Sequence, residues 1–394
     1  MPALDDEHTG TRIREQRRLA RLSQRALADR LPYSYSLLNQ VECGARPATA
    51  AFVAAVAHAL NIDVTTLTGQ PYVTELQRDR LAELVRPIRE SLDLYDLGAD
   101  ADLAVRPADQ LITSADSLCA SVRATHLRAA ARALPSAIAE LTHTAWATPS
   151  TDLWLALASM YRTAHDITVK LGYFDLSAVA LDRMAWAAER ASDPCLGAVR
   201  QYMRALVYYR EGEYTIGQRL IASGHSLVDQ ADTTRESLAV AGQLHLGASV
   251  ICARAGDEGA VERHLSEARS FAKRTGEASD VHWLSFGPAN VALHRMSAAI
   301  EMGQYDTALK QAGKVRMPAS MPTSRRAHFL IDRARTEMET GRTGKALEHL
   351  VEARKAAPEQ TRYHPGARET IRGLVHTARR TPDTLTYMAA WVGL

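Results

Sequence analysis

The chain has little of what would hold it in a membrane, staple it outside the cell or equip it for catalysis. No apolar run approaches the ~20 residues that a bilayer-spanning helix needs. The start, MPALDDEHTGTRIREQ, is charged and has no apolar leader segment, so a cytoplasmic location is expected. Only four cysteines occur in 394 residues: Cys43, Cys119, Cys195 and Cys252. They lie far apart, with no CxxC pair and no Cys/His cluster at ligand spacing, so they read as reduced thiols, mostly core filler. GxGxxG, GxxxxGK[ST], HExxH and GxSxG are all missing. GRTGKALEH has glycines and a lysine, but its loop length is wrong for a phosphate cradle. The 14 histidines are dispersed, with His282, His294 and His328 nearest to a cluster by position. No enzyme activity, cofactor or metal is therefore expected. Aromatics are scarce at 6%, and Val and Ile are scattered while Ala, Leu and Arg dominate. Helix is favoured nearly everywhere.

Net charge is only +2, but its distribution is uneven. Residues 11–69 hold eight arginines (12, 14, 17, 18, 21, 25, 30 and 46) against Glu15, Asp29, Glu42 and Asp63. A polyanion could dock at that end. From Thr11 the pattern is helical: Ile13, Arg17 and Leu19 to Leu22 suggest a first helix with an apolar seam and an arginine-rich outer face. Ser23 is placed to cap LSQRALADRL, in which Leu27 and Leu31 stand one turn apart and Ala28 allows a close crossing. Pro32 interrupts, Ser34 caps SYSLLNQVECG, and Gly44 ends it. TAAFVAAVAHALNI and a short VTTLTG turn complete a small core.

Two short helices joined by a tight turn, the second exposing small polar side chains, meet the physical requirement for major-groove reading. Ser23-Gln24-Arg25-Ala26-Leu27-Ala28, Ser34 through Leu38, and Val41-Glu42-Cys43-Gly44 resemble the helix-turn-helix of the phage-repressor (Cro/C1, or XRE) family. The likeness covers residues 10–70 and implies a five-helix lambda-repressor-like domain, although Pro32 stands where the family usually has glycine. It implies that Gln24, Ser34, Tyr35, Ser36 and Gln40 face DNA, with Asn39 beside them. Gln40 and Asn39 can pair bidentately with adenine, Ser36 is permissive, and Tyr35 offers a hydroxyl and an apolar ring. Arg25, Arg46 and Thr49 are placed to hold phosphates, whereas Glu42 is expected to buttress the fold.

Residues 71–149 read as a helical linker with degenerate hairpins, Pro87 kinking or restarting its first helix and a polar loop spanning 96–107. Residues 150–394 contain self-similar units. Gly172, Gly212, Gly256, Gly303 and Gly341 follow predicted helices at intervals of 40, 44, 47 and 38 residues. Five positions later stand Ser177, Gly217, Val261, Ala308 and Ala346. This resembles a tetratricopeptide-like helical-hairpin solenoid, with a period above the usual ~34 residues. Together with PYVTELQRDRL, RALPSAIAELTHTA and KLGYFDLSAVALDRMAWAAERASDP, the N-terminal pattern resembles actinobacterial repressor-family regulators with tetratricopeptide-like C-terminal domains.

Counting back from each turn glycine predicts the inner lining of the solenoid. It yields Arg162, Asp166 and Lys170; Tyr202, Met203 and Tyr209; Gln243 and Arg254; Asn290 and His294; and Asp332 and Arg335. Asn290 could pair with a peptide backbone, and Arg162, Arg254 or Arg335 with a carboxylate; solvated inner-face residues with local ion pairs are the plainer alternative. The expectation is thus an all-α transcriptional regulator binding double-stranded DNA as a homodimer. Its repeats would dimerise and sense a peptide or small molecule, a plan shared at fold level with peptide-sensing quorum regulators. An interaction protein whose repeats recruit a partner to DNA is the rival expectation.

Overall fold

In the computed structural model, which describes residues 8–378 and 380–394, the chain is all-helical. Among the described residues the only β feature is an isolated bridge between Ala278 and Phe286. No described helix is long and apolar enough to cross a membrane.

Five short helices come first: α1 (Thr9–Leu19), α2 (Gln24–Ala28), α3 (Tyr35–Glu42), α4 (Ala50–Leu60) and α5 (Val64–Thr68). They surround their own core of Ile13, Leu27, Leu38, Val41, Phe52, Val56 and Leu67. Burying each such side chain contributes about 1.5–3 kcal/mol, enough in sum to order helices too short to persist alone. The expected seam on α1 is corrected in two places: Leu19 is 74% exposed at the helix end, and Arg17 is buried instead. The α2–α3 connection is also longer than a tight turn, because α2 stops at Ala28 and Pro32 prevents helix from resuming before Ser34.

The linker helix expected to kink or restart at Pro87 is instead broken earlier, into α6 (Val73–Arg78) and α7 (Ala82–Leu92), where Arg80 takes a positive φ, and Pro87 lies inside α7. A regular hairpin, α8 (Ala108–Arg123) and α9 (Leu127–Ala147), then stands where only degenerate repeats were read. Five further hairpins pair α10 (Thr151–Leu171) with α11 (Phe174–Ala191), α12 (Pro194–Glu211) with α13 (Tyr214–Val228), α14 (Arg235–Arg254) with α15 (Glu258–Thr275), α16 (Pro288–Glu301) with α17 (Tyr305–Ala312), and α18 (Thr323–Glu339) with α19 (Thr343–Ala356). All five turn glycines have φ between 71° and 88°, the left-handed region that side chains resist. Ser177, Val261, Ala308 and Ala346 are buried at the crossings that follow. The longest interval arises from an inserted segment, residues 276–287, with five positive-φ residues and with the Phe286 ring packed onto bare Gly242.

The chain ends with α20 (Pro358–Tyr363), α21 (Pro365–Thr377) and α22 (Asp383–Val392). Here the row of hairpins closes on itself. Helix α18 meets α8, and α20 meets α9 and α10. Asp79 accepts from the Tyr363 hydroxyl and forms an ion pair with Arg362, whose Nε lies 2.9 Å from its Oδ2, while Glu359 accepts from the Arg128 amide at 2.9 Å. The first helices of the pairs therefore line an enclosed polar interior.

Burial sets a pH dependence. His225, His245 and His264 stack across α13, α14 and α15 with ring centroids 4.5 and 5.2 Å apart. The Nδ1 atoms of His245 and His264 lie 2.9 Å apart, so one must donate and the other accept, and both cannot be cationic. Burial, reinforced by its histidine neighbours, pushes His245 down to about 3, and burial takes His328 and His364 down to about 3 as well. Such groups are neutral when folded and become protonated on unfolding below the ordinary histidine value of about 6.5. Their contribution is present above that pH and is lost as pH falls from there toward the folded values. The melting temperature should fall by several degrees from pH 7 to pH 5, and His245→Phe should flatten part of that slope. Calorimetry showing a constant melting temperature over this window would contradict the assignment.

Candidate nucleic-acid interface and repeat interior

Helices α2, α3 and α4 of the N-terminal unit each start with a cap the sequence supplies. Ser23 Oγ accepts from Ala26 N (3.1 Å), Ser34 Oγ from Leu37 N (3.3 Å) and Thr49 Oγ1 from Phe52 N (3.2 Å). Two site candidates, Ser34 and Thr49, thus each accept one helix-start amide, which leaves the O–H able to donate. Helix α1 crosses α3 so closely that a Cβ on Gly10 would stand 1.8 Å from the Val41 carbonyl oxygen.

A buried ion pair locks α1 to α3. Arg17 donates Nε to Glu42 Oε1 (2.7 Å) and Nη2 to Oε2 (2.8 Å), and gives Nη1 to the Leu22 carbonyl (2.8 Å). The hydrogen bonds to Glu42 raise the Arg17 pKa above its ordinary value. Gln24 completes the network: its Nε2 donates to Glu42 Oε2 (2.8 Å) and to Asn39 Oδ1 (3.4 Å), and its Oε1 accepts from the Tyr35 hydroxyl (3.1 Å). Gln24 is half-buried and most of its hydrogen-bonding capacity is used, so in this structure it positions Tyr35 rather than projecting free.

The outer face of α3 is exposed. Tyr35 is 48% accessible, and Ser36, Asn39 and Gln40 also face solvent, with Gln40 Nε2 3.5 Å from Ser36 Oγ. Arg25 is exposed beside them on α2. Arg46 is different: its guanidinium lies 3.7 Å from Glu339 at the end of α18. It belongs to a row of contacts that seats the unit on the rim of hairpin turns. In that row Ala54 faces Gly212, His58 Nδ1 lies 3.1 Å from Glu213 Oε1, and Thr9 Oγ1 donates to Glu369 Oε1 at 2.8 Å.

The family model for a helix-turn-helix domain matches residues 8–68. The first five helices are therefore a helix-turn-helix DNA-binding domain, the module of a DNA-binding regulator. No curated protein matches the chain.

Within the ring, the structure brings the counted residues to one interior, all on first helices of the hairpins. Gln243 donates to the Tyr202 hydroxyl (2.9 Å) and accepts from Asn290 Nδ2 (3.3 Å); Asn290 is only 1% exposed. His294 Nδ1 lies 2.9 Å from the Asn290 carbonyl. Arg254 pairs with Glu301 at 2.8 Å and lies over the Tyr209 ring at 3.7 Å. Arg335 stands near Glu301 and Tyr305, and Asp166 pairs with Arg123 at 2.6 Å. Register counting missed Arg123, which precedes the first turn glycine, and Arg325, which further backward steps from Gly341 would have reached.

One group of described residues could offer metal ligands: Asp193, Glu236 and His282, whose ligand atoms lie within 4.8 Å of one another. Glu236 Oε1 is 2.6 Å from His282 Nε2, and Asp193 caps α12 through the Leu196 amide. An ion pair and a helix cap account for this group.

Removing one partner of a buried ion pair costs about 3–5 kcal/mol, because the other charge is left uncompensated. Glu42→Ala should therefore melt the N-terminal unit early, whereas Arg17→Met/Glu42→Leu should recover most of the loss. Thermal unfolding of the full chain checks this; a single variant no worse than the double would refute the buttress.

Proposed function

We propose that the protein is a sequence-specific transcriptional regulator of the Cro/C1 (XRE) type whose tetratricopeptide-like repeats, residues 150–394, dimerise and sense a signal. One observation carries the reading: a capped, internally braced helix presents Tyr35, Ser36, Asn39 and Gln40 to solvent, with Arg25 alongside. Amide and hydroxyl groups in that array suit base edges, and arginine suits phosphates. A single helix reads only a few base pairs, so two copies about one DNA turn apart (~34 Å) supply specificity. No part of this function requires catalysis.

Seating on the rim suggests how sensing reaches DNA. Arg46 is assigned to a phosphate, and it faces Glu339 of the repeats in the unbound chain. A signal that alters the ring changes both the spacing of the two reading heads and the competition for Arg46. Such a signal acts only through unequal affinity for the two arrangements.

Operator selection from a random DNA pool, followed by gel shift, tests the reading. Tyr35→Ala and Gln40→Ala should each cost roughly 1–3 kcal/mol on the selected site and little on random DNA. Arg25→Ala should weaken both alike and reduce the salt slope by about 1. Equal losses on both DNAs for Gln40→Ala would remove it from base reading.

A further inference from the structure

The interior of the ring holds more positive than negative charge, and the surplus is local. Asp166 has Arg123 Nη2 at 2.6 Å and Arg162 Nε at 4.0 Å, and Lys170 follows one turn along α10. One carboxylate thus serves three cations. Lys170 has no hydrogen bond or ion pair among the described residues. Arg325 donates Nε to Asn290 Oδ1 (2.8 Å) and places Nη2 3.1 Å from His294 Nδ1, with no described carboxylate within 4.0 Å. Two polar atoms here are buried without a hydrogen-bond partner, Arg162 Nε and His364 Nδ1, and Arg162 is only 4% exposed. Arg162 and Arg325 both act electrostatically on Tyr202, Lys170 acts on His328 and His364, and Asp332, 3.6 Å from His328 Nε2, acts on Arg325, so these groups are electrostatic neighbours.

Burial opposes their charge. It lowers Arg162 to about 10, with Arg123 adding repulsion, and it lowers Lys170 and Arg325. The other end of the same interior behaves oppositely: Arg254 is matched by Glu301 and its pKa is raised. Arg162 is buried and Lys170 and Arg325 are half-buried; partly compensated cations in such places are costly, and a fold that needed only to neutralise Asp166 would need only one of them.

A cleft borders this group: Arg123, the partner of Asp166, lines it together with Asp116, while Arg162, Lys170 and Arg325 stand behind its wall. It has a volume of about 650 Å³ and lies where α8, the inserted segment and the loop before α18 converge, lined also by Asp280, Trp283 and Met321. The Trp283 carbonyl in its wall accepts from Arg162 Nη2 at 3.3 Å. That volume falls within the ~300–1,000 Å³ of small-molecule sites.

We propose that this interior binds a small organic anion, its carboxylate or phosphate group held by Arg162, Lys170 and Arg325 and its body lying in the cleft. Guanidinium forks and an ammonium are the groups that recognise such oxyanions, and the neutral His328–His364 pair can add an N–H donor. The proposal rests on the sensor reading of the repeats and names the class of signal.

Calorimetric titration of the full chain without DNA tests it, with inorganic phosphate and octanoate as probes and octanol as the uncharged control. At least one anion should bind saturably with Kd below about 1 mM, and the pair separates the phosphate source from the carboxylate source. Arg162→Gln and Arg325→Gln should each weaken binding at least about tenfold, while the exposed Arg86→Gln should not. Lys170→Met should weaken binding and raise the melting temperature of the unliganded chain, a gain that misfolding cannot mimic. The proposal is overturned if neither anion saturates, if octanol binds as well as octanoate, if the arginine variants bind as the parent does, or if unliganded Lys170→Met melts lower. Since no DNA is present, a failure here is separate from a failure of base reading by Gln40.

Discussion

Five glycines held in the left-handed region set the geometry on which the rest of the molecule depends. At Gly172, Gly212, Gly256, Gly303 and Gly341 the chain must reverse within a residue or two of a helix end, and positive φ without strain permits it. Their second effect is surface relief. At two of them, Gly172 and Gly212, the missing Cβ leaves room for a close neighbour from the N-terminal part of the chain. Gly172 lies under Gln70 and Pro71, and Gly212 lies under Ala54 at contact distance. One residue that ends a repeat helix, Gly212, is therefore also a seat for the DNA-binding unit, whereas Gly256, Gly303 and Gly341 are open.

Electrostatics divides the molecule into places where charge is settled and places where it is not. Arg17 and Glu42 satisfy one another almost completely in the reading unit, as do Arg254 and Glu301 in the ring. Such pairs add less to stability than to geometry, since each fixes one helix against another in a single register. Around Arg162, Lys170 and Arg325 the positive charge is only partly matched, by Asp166 and Asp332. An arrangement that forgoes stability in one place while economising elsewhere is the pattern expected of a binding site.

Much of this was legible in the sequence, for identifiable reasons. Ser23 and Ser34 announced helix starts because a hydroxyl before an apolar-periodic run has one obvious use, and the turn glycines announced hairpin ends because left-handed backbone leaves few alternatives. Counting back in helical steps from those glycines reached Arg162, Gln243 and Asn290, since local periodicity carries over a whole helix. What could not be read depends on long-range placement. Arg17 looked like surface because its partner stands 25 residues away in sequence. The α8–α9 hairpin escaped notice because Thr125, rather than glycine, takes the positive φ there. Nothing in residues 276–287 advertised a packed insertion, and nothing near Asp79 foretold its clasp by Arg362 and Tyr363.

That clasp has a mechanical meaning. A linear stack of hairpins is stabilised only by nearest neighbours, frays from its ends and needs polar terminal repeats to cover exposed apolar faces. In this protein the first and last hairpins cover each other, so the stack has no ends. Strain introduced at any hairpin must be shared around the circuit instead of dissipating at a terminus. Each hairpin thus has neighbours on both sides, and the DNA-binding unit rests on that closed circuit.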